Sequence, residues 1–199
     1  MATRRSFSTL ALLAANLMVA LPGFASQPLN LVLNPHFDHD LSSWQLRIGD
    51  LPAWMNFDYA GSAASGSVYT VNTLPAAYEA EIELVQCIPL TSIGDYFFKA
   101  SGYAATGQSE GELYVTLILH PGPQTNCSNG AVFVGSQQIR AANEWRSVQR
   151  TLTVQGLPAT AEIWLRAEKD VADGSFGGYF DNILLSKDAI YIEGFEPQG

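Results

Sequence analysis

Most of the residues on which enzyme and cofactor chemistry depends are scarce in this chain. Three histidines, two cysteines and ten Lys and Arg are spread over 199 residues. No Cys-x-x-Cys occurs, which sets aside dithiol redox motifs and cysteine-rich zinc sites. No Gly-x-Ser-x-Gly occurs, so there is no nucleophile elbow of the hydrolase type. No basic cluster exists to neutralise phosphates, which excludes nucleic acid as an expected partner. Beyond the N-terminus no run is long and apolar enough to span a membrane, for which about 20 residues are needed. No segment after the first 25 residues carries a helical stripe of apolar positions at a 3.6-residue period.

What the N-terminus does contain is an export signal. Arg4 and Arg5 supply the charged start, Leu10 to Leu21 the apolar run, and Pro22-Gly23-Phe24-Ala25 the small residues of a cleavage site. Residues 1–25 are therefore expected to be a Sec-type signal peptide, and the product secreted or periplasmic. Removing 25 residues from 199 leaves 174, enough for one domain with a real core. The mature part keeps eight basic and 19 acidic residues, a net charge of −11. In an exported chain an even cysteine count favours a disulfide, here Cys87 with Cys127. A closed loop of about 40 residues contributes roughly 3–4 kcal/mol on the chain-entropy estimate.

Residues 26–188 read as strand after strand. Leu113, Val115, Leu117 and Leu119 alternate with Tyr114, Thr116, Ile118 and His120. Ile163 and Leu165 alternate with Glu162, Trp164 and Arg166 in the same way. Ser67–Val71, Leu84–Ile88, Tyr96–Tyr103, Ala131–Val134 and Trp145–Val154 are further β-rich runs. Arg150 falls on the same side as Val148 and Leu152, which implies either a bulge or an Arg on a ligand face. Gly, Pro and Asn turns punctuate these runs. About nine to eleven short strands suit an all-β, two-sheet sandwich or jelly roll.

Two segments near the ends of this region sharpen that expectation. Asn30-Leu31-Val32-Leu33-Asn34-Pro35-His36-Phe37-Asp38 reads as a strand and turn that lead on to Trp44. Gly177-Gly178-Tyr179-Phe180-Asp181-Asn182-Ile183-Leu184-Leu185 reads as an aromatic-acid pair entering an apolar strand. Together they resemble the opening and closing strands of jelly-roll carbohydrate-binding modules of the galactose-binding-domain-like superfamily, of the type of families 4, 9 and 22. The family pattern has Gly where His36 stands, Glu where Asp38 stands and a second Asp where Asn182 stands. The resemblance implies a structural calcium near Asp38 and Asp181, with oxygens added from the loop Asp58–Ser67. The cluster His36 to Asp40 has zinc-compatible side chains, but it lies in a turn, with only His120 elsewhere to complete a site.

Sugar recognition needs aromatic faces beside polar groups. Tyr114 and His120 share the outward side of one strand, and Glu162, Trp164 and Arg166 that of another. If these strands are neighbours they form one platform. Trp54, Tyr59 and Tyr78 offer a second. The expected function is non-catalytic binding of a polysaccharide or glycan. The alternative is a structural or adhesion module with a protein partner. The tail, residues 189–199, resembles the short Gly-Phe-Glu endings of many exported proteins of Gram-negative bacteria, which implies a bacterial source.

Overall fold

The computed structural model describes residues 29–48, 51–74, 82–123, 127–128 and 130–187. The signal segment 1–25, Tyr78 and the tail 189–199 lie outside them. Ten strands form in chain order: β1 (Gln45–Ile48), β2 (Ala53–Met55), β3 (Ser67–Asn72), β4 (Ile82–Leu90), β5 (Gly94–Tyr103), β6 (Gly111–Pro121), β7 (Val132–Arg140), β8 (Trp145–Val154), β9 (Ala159–Lys169) and β10 (Phe176–Lys187). Among the described residues there is no helix. The strands make two antiparallel five-stranded sheets. The first has the order β1-β4-β9-β6-β7 and the second β2-β3-β10-β5-β8. This is the all-β sandwich expected from the alternating pattern.

The period-two alternation decides which side chains face inward. Leu84, Leu113, Val115, Leu117, Ile163 and Leu165 of the first sheet are buried against Val68, Phe98, Leu152, Phe180 and Leu185 of the second. Gly178 lies where β10 crosses this interior. A Cβ there would run into the Tyr103 carbonyl and the Leu113 side chain, so glycine lets the sheets close. Arg150 pairs with Phe98 in an unbroken β5–β8 ladder, so there is no bulge. Its guanidinium lies over Gly135 of β7, in space that a Cβ would fill, at the open edge between the sheets. Lys169 is buried, and its Nζ donates to three carbonyls, those of Leu74, Ala172 and Gly174, at 2.6, 3.1 and 2.9 Å. That is how the fold tolerates a buried ammonium.

The opening motif is not a strand. Residues 29–44 run as an irregular segment. Leu31 N donates to Leu185 O, and Ile183 N to Pro35 O. Buried Gln86 of β4 exchanges two side-chain bonds with the Leu33 backbone, at 2.8 and 2.9 Å. A side chain thus replaces a neighbouring strand, which local propensity does not reveal. The segment still plugs the core, with Phe37 fully buried and its ring centroid 5.6 Å from that of Trp44. Burying one such ring contributes about 1.5–3 kcal/mol.

Candidate functional site

The register of the first sheet assembles the residues picked out by alternation. On β6 and β9, Tyr114 pairs with Arg166, Thr116 with Trp164, and Ile118 with Glu162. His120 pairs with Thr160, next to Glu162 along β9. Tyr114, Arg166, Trp164, Glu162 and His120 therefore share one outward face, on β6 and β9, two of the three inner strands of that sheet.

Each of them is engaged by neighbours. The Arg166 guanidinium carbon lies 5.4 Å from the Tyr114 ring centroid and 5.9 Å from that of Trp164. An Nη of Arg166 is 2.7 Å from Glu168. Arg47, from the edge strand β1, caps the Trp164 ring at 4.6 Å and reaches Glu162 at 3.5 Å. The Trp164 indole Nε1 is buried with no hydrogen-bond partner among the described residues. Tyr114 donates to Glu112 at 2.8 Å and accepts from Gln138 at 2.9 Å, while Arg140 holds the other Glu112 oxygen at 2.9 Å. Burial, with the bond to Glu112 second, pushes the Tyr114 phenol up to about 12, so it stays a neutral donor.

At one end the face is covered. Cys87 is the register partner of Glu162, and it is bridged to Cys127 in the β6–β7 connection. That connection crosses β9 to reach β4, placing the Cys127 sulfur 3.5 Å from Thr160 Oγ1 and 3.7 Å from Ala161 O. His120 and Glu162, 2.9 Å apart, are buried although they point outward, with 6 and 7% of their surface exposed. The expected disulfide is therefore present and walls one side of the face.

Five participants escaped the sequence analysis: Arg47, Glu112, Gln138, Arg140 and Glu168. Ser136, Gln138 and Arg140 do alternate along β7, and that signal was readable. Arg47 had none, because its place over Trp164 depends on β1 joining the sheet edge beyond β4.

The two acids of the resemblance are placed apart in kind. Asp38 is exposed, and no hydrogen bond joins it to Asp181 among the described residues. Asp181 is 1% exposed on the outward side of β10, beneath the β2–β3 loop. Its oxygens accept from Tyr59 N at 2.8 Å and Asn182 N at 2.6 Å. Its side-chain partner is Asp58, itself held by Ser65 and by Ser62 N. Burial pushes the Asp181 carboxyl up to about 7, aided by the adjacent Asp58. Hydrogen bonds from Ser65, Ser62 and Ala60 outweigh burial at Asp58 and hold it below the ordinary range. Next along β3 from Val68, the register partner of Phe180, Ser67 is fully buried, and its Oγ has no hydrogen-bond partner among the described residues. An all-oxygen cluster with a carboxylate pair, of which Asp181 is buried and Asp58 half-buried, and an orphaned hydroxyl has the donor chemistry calcium takes. No three His, Cys, Asp or Glu side chains gather as a metal-holding group among the described residues, so backbone oxygens would have to complete the shell.

The second-platform residues divide. Trp54 donates to the Phe37 carbonyl at 2.6 Å and so ties loop to core. Tyr59 lies on the outer side of the second sheet.

No family model and no curated protein matches the chain. Solved structures do match in shape. A family 16 carbohydrate-binding module is 18% identical, with a TM-score of 0.55, 79% of this chain covered and 100% of that one. The module TmCBM61, solved in complex with β-1,4-galactotriose, is 16% identical, with a TM-score of 0.54, 80% of this chain covered and 99% of that one. The fold is a jelly roll of the carbohydrate-binding-module type. Structures of family 4 and family 22 modules share it. So does part of the active domain of tailspike protein 4 of bacteriophage CBA120, at 19% identity and a TM-score of 0.55, with 79% of this chain covered. The match spans about a fifth, 21%, of that phage chain.

Proposed function

We propose that this protein binds a polysaccharide or glycan, without catalysis, on the outer face of the first sheet. The observation that carries the reading is the contiguous patch of Trp164, Tyr114, Arg166 and Arg47, where planar guanidinium groups lie over the aromatic rings. Sugar rings stack on such faces, while the fixed donors and acceptors around them meet hydroxyls. Glu112, Glu162 and Glu168 are each held by an Arg, and Glu162 by His120 as well. Glycoside cleavage instead needs two carboxyls placed across a scissile bond. The fold shared with galactotriose-binding and xylan-binding modules supports the same class of ligand. Secretion through residues 1–25 and a calcium held by Asp181 and Asp58 complete the proposal. The disulfide agrees with an oxidising compartment.

The test is a glycan and polysaccharide screen on the protein, with and without calcium, followed by Tyr114→Ala and Arg166→Ala. Affinity is expected to fall roughly tenfold or more in each, as for anchor residues, with folding intact. Failure of the wild type to bind any glycan, or variants that bind as well as it does, would remove this reading.

A further inference from the structure

The opposite side of the sandwich carries an aromatic surface of a different kind. Tyr69 of β3 pairs with Tyr179 of β10, Tyr179 with Tyr103 of β5, and Tyr103 with Trp145 of β8. Four rings thus form a single row across four adjacent strands, over three inter-strand spacings or roughly 14 Å. Centroid separations along the row are 4.9, 5.9 and 5.8 Å. From the β2–β3 loop, Phe57 lies against Tyr103, Trp145 and Tyr179, and Tyr59 stands edge-on to Trp145. The four row residues are half-buried, while Phe57 and Tyr59 are exposed.

A purely structural satellite core would have its phenols satisfied, since buried tyrosines find partners. Here the hydroxyls of Tyr59, Tyr69, Tyr103 and Tyr179 have no protein hydrogen-bond partner among the described residues, nor are they sealed from solvent. No charged residue belongs to the row. The neighbouring row holds Asp181, beneath the loop and engaged with Asp58, and the bonded pair Ser101 and Ser147. The chain's net charge of −9 repels anionic partners, and the uncharged strip offers a cationic one no ion pair. Ring faces beside free hydroxyls are the complement of a neutral sugar, whose own faces are apolar and whose rim is hydroxylated. Burial, with Tyr69 and Tyr103 next, holds the Tyr179 phenol above its ordinary value, so it remains a donor.

We propose that this row, Tyr69-Tyr179-Tyr103-Trp145 with Phe57 and Tyr59, is a second binding surface for a neutral polysaccharide chain. It shares the ligand class of the proposed function but none of its residues. The two surfaces look away from each other across the sandwich, so one molecule would hold two chains.

Affinity electrophoresis through gels of soluble xylan or β-1,4-galactan tests this with the whole protein. The triple variant Tyr69→Phe, Tyr103→Phe, Tyr179→Phe keeps every ring and removes only partnerless hydroxyls. Its melting temperature should match the wild type; made in the Arg166→Ala background, which removes the first-sheet surface, the same three changes should lower the retardation constant roughly tenfold relative to Arg166→Ala alone, the loss of two or three sugar hydrogen bonds. Arg166→Ala, on the other face, should retain the remaining retardation. A combined variant retarded like Arg166→Ala alone overturns the proposal. So does Arg166→Ala abolishing all retardation, or a wild type that neither gel retards. A dimer in sedimentation that Trp145→Ala dissolves would make the row a self-association surface and also overturns it. If Arg166→Ala changes nothing while the triple variant loses retardation, the first-sheet reading fails and this one stands.

Discussion

Replacing Asp181 with Asn should change how stability responds to pH. In the folded protein the Asp181 carboxyl is raised to about 7 by burial first and by Asp58 second. An unfolded Asp titrates near 3.9, so the gap is about three pH units, each worth roughly 1.4 kcal/mol. A raised folded value means that the folded state holds the proton more tightly. This stabilisation is complete below about pH 4 and is lost as pH rises through about 7. Asp58 shifts the other way, and its contribution is lost only as pH falls below the ordinary carboxylate range. Between pH 5 and pH 8 Asp181 therefore dominates. Because the two acids share one environment, a loss on the order of 2–4 kcal/mol is expected across that window without calcium. Asp181→Asn cannot ionise, so its stability should be nearly flat there. It keeps one acceptor oxygen for two backbone donors, Tyr59 N and Asn182 N, and should cost about 1 kcal/mol at pH 5. Urea denaturation at both pH values, in chelator, measures this. The variant should be the less stable protein at pH 5 and the more stable at pH 8. Equal wild-type stability at the two values would refute the reasoning. Added calcium should raise wild-type stability most at pH 8, where both carboxylates are charged, and leave Asp181→Asn little changed.

Two further outcomes follow from the same geometry. The Cys87–Cys127 bridge closes a sequence separation of 40 residues, so Cys87→Ala with Cys127→Ala should cost about 4 kcal/mol in denaturant unfolding. A double variant as stable as the wild type would refute that. Trp164 is half-buried under Arg47 rather than packed in the core, so Trp164→Ala should cost about 1–2 kcal/mol, less than the 3–5 expected of a core aromatic, while glycan binding is lost.

Alternation at period two was sufficient to mark the inward and outward sides of β6 and β9, and it put Trp164, Arg166 and Tyr114 outside before any pairing was known. It worked because a strand's side-chain direction is a local property of the backbone. The same rule misread residues 30–38: their apolar content is strand-like, but their hydrogen bonds go to Gln86 and β10, which no local pattern reports. The motif Gly177–Leu185 was legible as the closing strand, while its central place between β3 and β5 came from the pairing.

Tertiary structure decided the rest. Whether Tyr114 and Trp164 lie near each other depends on β6 and β9 being neighbours, a pairing between segments far apart in the chain. Arg47 reaches Trp164 only because β1 adds to the sheet edge beyond β4. Asp181 takes Asp58 as its partner, rather than the sequence-matched Asp38, because the β2–β3 loop folds down over β10. The row of four rings on the second sheet was invisible in the sequence, where its members are scattered from Tyr69 to Tyr179 and each looks like an ordinary strand aromatic. The sequence by itself marked most of the strands, the bridge and the inward and outward sides of β6 and β9. Register and loop placement, set by packing across the whole sandwich, determined which of those side chains meet.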